Sequence, residues 1–400
     1  MNTDVLAGLM AELPEGMVVT DPAVTDGYRQ DRAFDPSAGK PLAIIRPRRT
    51  EEVQTVLRWA SANQVPVVTR GAGSGLSGGA TALDGGIVLS TEKMRDITVD
   101  PVTRTAVCQP GLYNAEVKEA AAEHGLWYPP DPSANGTAVR LGGPRLKDVA
   151  GLSLTKLFVG SEGTLGVITE VTLRLLPAQN ASSIVVASFG SVQAAVDAVL
   201  GVTGRLRPAM LEFMDSVAIN AVEDTLRMDL DRDAAAMLVA GSDERGRVDV
   251  FSTDDPDEGE AFIAARRFAI PAVESKGALL LEDVGVPLPA LGELVTGIAR
   301  IAEERNLMIS VIAHAGDGNT HPLLVYDPAD AAMLERAHLA YGEIMDLAVG
   351  LGGTITGEHG VGRLKRPWLA GYLGPDVLAL NQRIKQALDP QGILNPGSAI

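Results

Sequence analysis

Three of the five histidines in this 400-residue chain, His314, His321 and His359, lie in two short stretches crowded with glycine and polar residues: His314-Ala-Gly-Asp-Gly-Asn-Thr-His321 and Gly357-Glu-His-Gly-Val-Gly362. Two imidazoles, one carboxylate and an open fourth position suit a catalytic Zn²⁺ or a similar divalent ion. The spacing by itself favours another reading. Seven residues is neither the helical i, i+4 arrangement nor a finger pattern, and so it describes hydrogen-bonded loop histidines. Both readings stand on these residues alone. His124 and His338 fall on helical stretches and read as structural.

A second chemical element is the run Val65-Pro-Val-Val-Thr-Arg-Gly-Ala-Gly-Ser-Gly-Leu-Ser-Gly-Gly-Ala80. Its β-branched start reads as a short buried strand that enters a glycine-rich loop. Glycine tolerates positive φ, and successive exposed backbone N–H groups form a concave site for phosphate, so the ligand expected is a nucleotide. Gly73, Gly75 and Gly78 formally satisfy GxGxxG. That motif binds a nicotinamide dinucleotide only where it opens a helix, and here Ile87 to Leu89 follow as another strand. A glycine-rich turn with no ligand stands on nearly equal terms.

The elements that must position these residues divide the chain. At 400 residues with 46% hydrophobic content, two domains of roughly 100 to 200 residues are expected. Pro41 to Pro47 reads as a strand, and Thr50 as the N-cap of a helix whose apolar face is Val53, Val56, Leu57 and Ala60, completing a βαβ unit with the Val65 strand. Thr105 to Gln109 reads as a strand, and a helix from Asn114 ends near Gly125. Val171, Leu173 and Leu175 alternate with polar residues in a strand with one buried face. Ala178 to Ser183 is the linker. Beyond it, strands at 184–189, 236–240, 278–284 and 309–313 alternate with helices at 192–200, 215–227 and 290–304, which describes an α+β domain with a mainly antiparallel sheet. The first thirty-odd residues carry no assigned role, and the acidic run Asp254 to Glu260 reads as a solvated loop.

A net charge of −17 without a basic cluster argues against nucleic acid and anionic membrane as partners. No apolar run approaches the roughly 18 residues of a membrane span, and the first ten residues lack a signal-peptide pattern, so the expected location is the cytoplasm. Cys108, the only cysteine, sits in a strand and reads as an inert buried thiol.

Six stretches together carry a resemblance: the Gly71 to Gly79 loop, Tyr128-Pro-Pro-Asp-Pro-Ser133, Leu157-Phe-Val-Gly-Ser-Glu-Gly-Thr-Leu-Gly-Val-Ile168, the two histidine stretches, and Asn395-Pro-Gly397. They span nearly the whole chain. The chain resembles the FAD-linked oxidases of the vanillyl-alcohol oxidase type, in the branch of the glycolate oxidase D-subunit and the D-lactate and D-2-hydroxyglutarate dehydrogenases. The resemblance implies an α+β fold with a two-lobed FAD-binding domain over 36–178, a substrate or cap domain over 179–388, and a segment 389–400 returning to the FAD domain. It implies that FAD is held by Arg70, Gly71, Gly73, Ser74, Gly75, Leu76, Ser77, Gly78, Pro130, Asp131, Ser133, Gly160, Glu162, Gly163, Gly166, Val167, Ile168 and Asn395. Some members tether the flavin to a histidine in the glycine-rich loop; none is present here, which implies non-covalent FAD. For the second domain it implies His314, His321 and Glu358 as ligands of a divalent ion, zinc by preference, His359 as general base, and Arg266 as the clamp on a substrate carboxylate. The reaction implied is dehydrogenation of a D-2-hydroxy acid. Relatives that take a second carboxylate carry a lysine near Leu280-Leu-Glu-Asp283, and this chain has none there, which favours glycolate or D-lactate. The electron acceptor is unassigned, and a homodimer or an oxidase-complex subunit is the expected assembly.

The chain also departs from the family. After Ser133 relatives carry a long glycine- and asparagine-rich segment that wraps the flavin, whereas here Ser133 runs straight into Ala134. That deletion implies weakened FAD binding. It keeps open a different class of function, a flavin-free remnant or non-catalytic subunit of the same fold, with a metal-dependent hydrolase as a third reading.

Overall fold

Short β-branched runs separated by glycine and proline build the first of two units, Met1–Ala178 together with Gly360–Ile400. The computed structural model describes residues 3–128, 152–178, 183–242, 252–253 and 256–400. Pro130, Asp131, Ser133, the junction before Ala134 and most of the expected linker therefore lie outside the described residues. Strands β1 (Val18–Val19), β2 (Ala43–Ile45), β3 (Val67–Arg70) and β4 (Ile87–Ser90) form a sheet in the order β1-β2-β4-β3, with β2 and β3 both parallel to β4. The glycine-rich loop thus joins strand to strand. The helix Thr50–Asn63 links β2 to β3 and buries Val53, Val56 and Ala60. Thr50 does not cap it. Arg49 holds the cap position, and the Glu52 carboxylate reaches back to accept the N–H groups of Arg48 at 2.7 Å and Arg49 at 3.1 Å, because a residue at N3 can satisfy donors that precede the first turn.

The polar-looking N-terminus belongs to this core. Leu6, Leu9 and Leu13, spaced for one helical face, are buried with Met17 beside Val53, Val56 and Trp59. Strands β5 (Ile97–Asp100), β6 (Thr105–Cys108) and β8 (Val171–Arg174) form an antiparallel sheet. β7 (Leu126–Trp127) pairs with β9 (Leu176–Pro177). Cys108 is 2% exposed in β6, and burial pushes its thiol up to about 11. The protonated thiol is therefore favoured in the fold, so this contribution to stability is present below the ordinary thiol value of 9.0 and is lost as pH rises toward 11. We expect DTNB to leave Cys108 unmodified in the native chain at pH 8 and to react stoichiometrically in guanidinium. Rapid native reaction would show that the thiol is accessible.

The second unit, Gln179–His359, is organised by one sheet. Its strands β10 (Ser183–Phe189), β11 (Met210–Asp215), β12 (Ala236–Ser242), β13 (Ser252–Thr253), β14 (Ala278–Leu281), β15 (Val284–Gly285), β16 (Met308–His314) and β17 (Asn319–Tyr326) run in the order β13-β10-β12-β11-β16-β17-β14, with β15 also on β17. Every pairing in it is antiparallel. Helix Ser216–Leu226 packs on Pro256–Glu274, while Leu291–Arg305 packs on both Val192–Thr203 and Ala331–Gly350. Residues 256–260 of the acidic run expected as a loop begin helix Pro256–Glu274, where proline suits the first turn; Asp254 and Asp255 lie outside the described residues.

The unit boundary after His359 differs from the expected return at residue 389. Helices Arg366–Leu373 and Pro375–Leu388 belong to the first unit. Hydrogen bonds explain this: Ser77 O accepts Arg363 N and Leu364 N, Ala399 N donates to Gly362 O, and the Lys385 ammonium donates to Thr164 O at 2.7 Å.

Candidate functional site

The hairpin β16–β17 explains a spacing that looked uninformative. Its register pairs His314 with Asn319 and Ile312 with His321. Residues paired across an antiparallel ladder share a face, as do residues two apart in one strand, so His314 and His321 are diagonal neighbours on one face. His321 is therefore a strand residue, not a loop residue as expected. The turn between them needs Gly318, at φ +84°, where a Cβ would lie 2.1 Å from Val286 O. On the other side β11 pairs Glu212 with His314, which brings a carboxylate to the same face.

Glu358 closes the cluster. Its Oε1 lies 3.2 Å from His321 Nε2 and 3.7 Å from His314 Nε2, and the three ligand atoms lie within 4.8 Å of one another. Ligands at about 2.1 Å around a tetrahedral ion sit about 3.4 Å apart, so these separations bracket the requirement. His359 Nε2 is 3.3 Å from the same Glu358 oxygen, and its ring meets that of His321 edge-on at 5.4 Å.

The loop that carries Glu358 and His359 is held from below by Asp283, which is fully buried. A single oxygen, Oδ2, accepts Thr356 Oγ1 at 2.7 Å and the N–H groups of Gly357, Glu358 and His359 at 3.0, 3.1 and 2.9 Å. Consecutive amides turned toward one point form an anion nest, and here the anion is part of the chain. A Cβ at Gly357 would stand 1.9 Å from Asn319 Oδ1, so a larger residue there requires the Asn319 amide to move.

Hydrogen bonds from His314, His321 and His359, in that order, hold the Glu358 carboxyl well below the usual carboxylate range. It is thus already in the ionised form that a metal ligand needs. The hydrogen bond to Glu212 and then that to Glu358 push His314 up to about 10, against the opposing effect of burial. A metal entering here would displace that proton, as ligand sets of this kind generally require.

The neighbouring arginines separate cleanly. Arg266 is 9% exposed, and its Nη2 lies 2.8 Å from Glu212 Oε2, while Arg267 is exposed and pairs with Glu260. Arg266 Nε is buried with no partner among the described residues. No lysine occurs in the stretch Leu280 to Asp283; Glu282 and Asp283 in it are both fully buried.

In the first unit, Gly71, Ser74 and Gly75 are exposed and Leu76, Ser77 and Gly78 are buried. Gly73 and Gly78 have φ of +70° and +79°. No backbone hydrogen bond among the described residues uses an N–H from Gly71 to Gly79 as donor, so the loop does not engage these amides with its own backbone. Arg70 donates to Gln30 O at 2.9 Å, and its guanidinium occupies the space where a side chain at Gly73 would go.

The second expected cofactor stretch is tied to the same place. Gly160, Glu162 and Gly163 all have positive φ, Gly166 and Val167 are buried, and Ile168 is half-buried. The Glu162 carboxylate accepts Val361 N at 2.8 Å and Gly362 N at 2.7 Å. Asn395, 1% exposed, donates from Nδ2 to both Gly79 O and Glu162 O at 2.8 Å, so it fastens the two loops together.

Glu212 and Asp283 were not singled out as functional residues from sequence. The signal for Asp283 was a pair of acids inside the apolar run Leu279-Leu-Leu-Glu-Asp-Val284, and for Glu212 a carboxylate inside Met210-Leu-Glu-Phe-Met214. Charges within buried strands are costly unless partnered, which makes such positions worth pursuing.

Residues 178–399 match the family model for the C-terminal domain of FAD linked oxidases, and residues 41–154 match an FAD binding domain. The glycolate oxidase subunit GlcD of Bacillus subtilis is 35% identical over 415 residues, covering 89% of this chain and 88% of that protein. The Escherichia coli K12 subunit of the same name is 35% identical, covering 90% and 84%. The D-lactate dehydrogenase of Archaeoglobus fulgidus is 31% identical over 430 residues, covering 94% and 96%. Aligned lengths above the 400 residues of this chain mean that these relatives contain stretches with no counterpart here. Among solved structures, 4-ethylphenol oxidase from Gulosibacter chungangensis superposes with a TM-score of 0.78 at 16% identity, covering 99% of this chain and 96% of that one. Substrate-bound p-cresol methylhydroxylase gives 0.73 at 14% with the same coverage, a likeness of fold alone.

Proposed function

Because the chain belongs to the FAD-linked oxidases and is an FAD-linked oxidoreductase, we propose that it dehydrogenates a D-2-hydroxy acid, glycolate or D-lactate in preference to 2-hydroxyglutarate. The observation that carries this reading is the convergence of His314, His321 and Glu358 with His359 beside them. When bound, a divalent ion supplies Lewis-acid polarisation of the substrate hydroxyl, and non-covalent FAD supplies the hydride acceptor. The Nε2 atoms of His314 and His321 and a Glu358 oxygen would hold the ion, zinc by preference. His359 accepts the hydroxyl proton at Nε2 as the hydride leaves Cα. Arg266, whose Nε–H is buried without a partner among the described residues, orients the substrate carboxylate; a planar guanidinium can serve Glu212 and a second carboxylate at once. Arg70, Gly71, Gly73, Ser74, Gly75, Leu76, Ser77 and Gly78 would cradle FAD with the Gly160 to Ile168 stretch, and Asn395 would hold the two loops in place. Reduction of flavin by D-lactate or glycolate in the chain supplied with excess FAD, under anaerobic conditions, tests the reading; no reduction by either ends it.

Substrate size provides a sharper check. Leaving a carboxylate unpartnered costs about 1–3 kcal/mol, so without a lysine in the stretch Leu280 to Asp283 the chain should reduce its flavin with D-lactate or glycolate roughly tenfold or more faster, in kcat/KM, than with D-2-hydroxyglutarate. A preference for the dicarboxylate would mean that another cation serves the second carboxylate.

One observation favours the rival, a flavin-poor or non-catalytic subunit. The relatives' alignments are longer than this chain, which agrees with a segment missing between Ser133 and Ala134. We expect the purified chain to show little flavin absorbance, and a relative's segment inserted at that junction to raise flavin content and activity together. Stoichiometric FAD in the unaltered chain would show that the remaining loops suffice. The GlcD relatives are named as subunits, and assembly as a homodimer or in an oxidase complex is part of this proposal, as is a cytoplasmic location. No helix among the described residues is long and apolar enough to cross a membrane.

A further inference from the structure

We infer that Glu212 is the positioning residue of the metal centre, acting through His314 and itself held by Arg266. The inference rests on the metal reading of His314, His321 and Glu358. An imidazole can ligate through either nitrogen, and which one it offers is decided by what the other one bonds. Here the choice is made by the fold. The β11–β16 register sets Glu212 directly opposite His314, and both carboxylate oxygens lie at hydrogen-bond distance from His314 Nδ1, 2.9 Å for Oε1 and 3.1 Å for Oε2. A carboxylate can only accept, so Nδ1 donates, and in the neutral ring Nε2 keeps its lone pair. Nε2 is the nitrogen that faces Glu358 Oε1.

Glu212 is itself constrained. Its side chain is 13% exposed, and Oε2 receives Arg266 Nη2 at 2.8 Å from helix Pro256–Glu274. The planar guanidinium is a rigid donor with no acceptor of its own, so it fixes the carboxylate in orientation. Three secondary-structure elements, β11, β16 and the helix, therefore converge on the orientation of one ring. His321 has no equivalent arrangement: its Nδ1 is 3.9 Å from Asp283 Oδ1, outside hydrogen-bond range, and its ring is held instead by burial, with a side chain 7% exposed. The two histidines should thus respond differently to loss of a nearby carboxylate.

The test is titration of the full chain with Co²⁺, read by its visible d–d bands, in wild type, Glu212→Gln and His321→Ala. The expected result is a Co²⁺ dissociation constant about 10- to 100-fold weaker in Glu212→Gln, the range typical of outer partners of metal-bound histidines, with wild-type far-UV circular dichroism. If leaving Arg266 without its partner unfolds the single variant, Glu212→Gln combined with Arg266→Met removes both buried charges together and should show the same weakening in a folded chain. Co²⁺ affinity within twofold of wild type, in whichever of the two is folded, overturns the role of Glu212 and leaves the metal centre standing. A wild type whose Co²⁺ spectrum is absent, or is unchanged by His321→Ala, overturns the metal reading and this inference with it.

Discussion

His359→Ala is expected to lower hydroxy-acid-dependent flavin reduction by about 10²- to 10⁴-fold while leaving the metal content of the chain unchanged. The asymmetry follows from where the imidazole sits. Its Nε2 is near the same Glu358 oxygen that the other two histidines approach, yet the compact ligand set is His314, His321 and Glu358. The backbone of His359 is anchored independently of its ring, through its N–H to Asp283, so truncating the ring removes a proton acceptor without releasing the loop that carries Glu358. Rates in the variant should stay low across the pH range. Metal analysis alongside stopped-flow reduction checks both halves. Activity within tenfold of wild type would remove His359 as the base, and coincident loss of metal would make it a ligand.

The second large effect concerns His321. His321→Ala should weaken divalent-ion binding by more than the roughly 10- to 100-fold expected for an outer partner, because it removes one of three donors rather than the group orienting one. The ring is buried, so its removal also leaves a cavity beside Glu358. Activity should fall with metal occupancy, and adding excess Zn²⁺ should restore part of it. Metal content and activity equal to wild type would end the ligand assignment. Treating wild type with a chelator and then re-adding metal gives the matching control.

What the sequence could disclose, and what it could not, separates along the range of the interactions concerned. The strand–loop–strand character of Val67 to Ser90 was legible because it depends on neighbours: β-branched residues, then glycines, then β-branched residues again. The helix on Val53, Val56 and Ala60 was legible for the same reason. The histidines could be singled out, but their geometry could not. Whether His314 and His321 face each other depends on pairing across β16 and β17, and His321 lies in a strand that was not recognised. Glu212 and Asp283 act on residues about a hundred and about seventy positions away, and no local pattern encodes that. The N-terminal leucines were overlooked because their partners are in helix Thr50–Asn63. Helices Arg366–Leu373 and Pro375–Leu388 were assigned to the other unit because what binds them to the first, such as Thr164 O on Lys385, is likewise remote.

The diagonal placement of His314 and His321 also bears on which changes in length the chain can accept. An extra residue in the turn could be absorbed as a longer loop, provided a glycine still stands where Val286 O comes close. An extra residue between Asn319 and His321 could not. It would turn the imidazole to the opposite face of the sheet while leaving composition, charge and every other motif intact. An alignment that shows both histidines but an odd number of residues added inside the strand would therefore describe a protein that has kept the motif and lost the site.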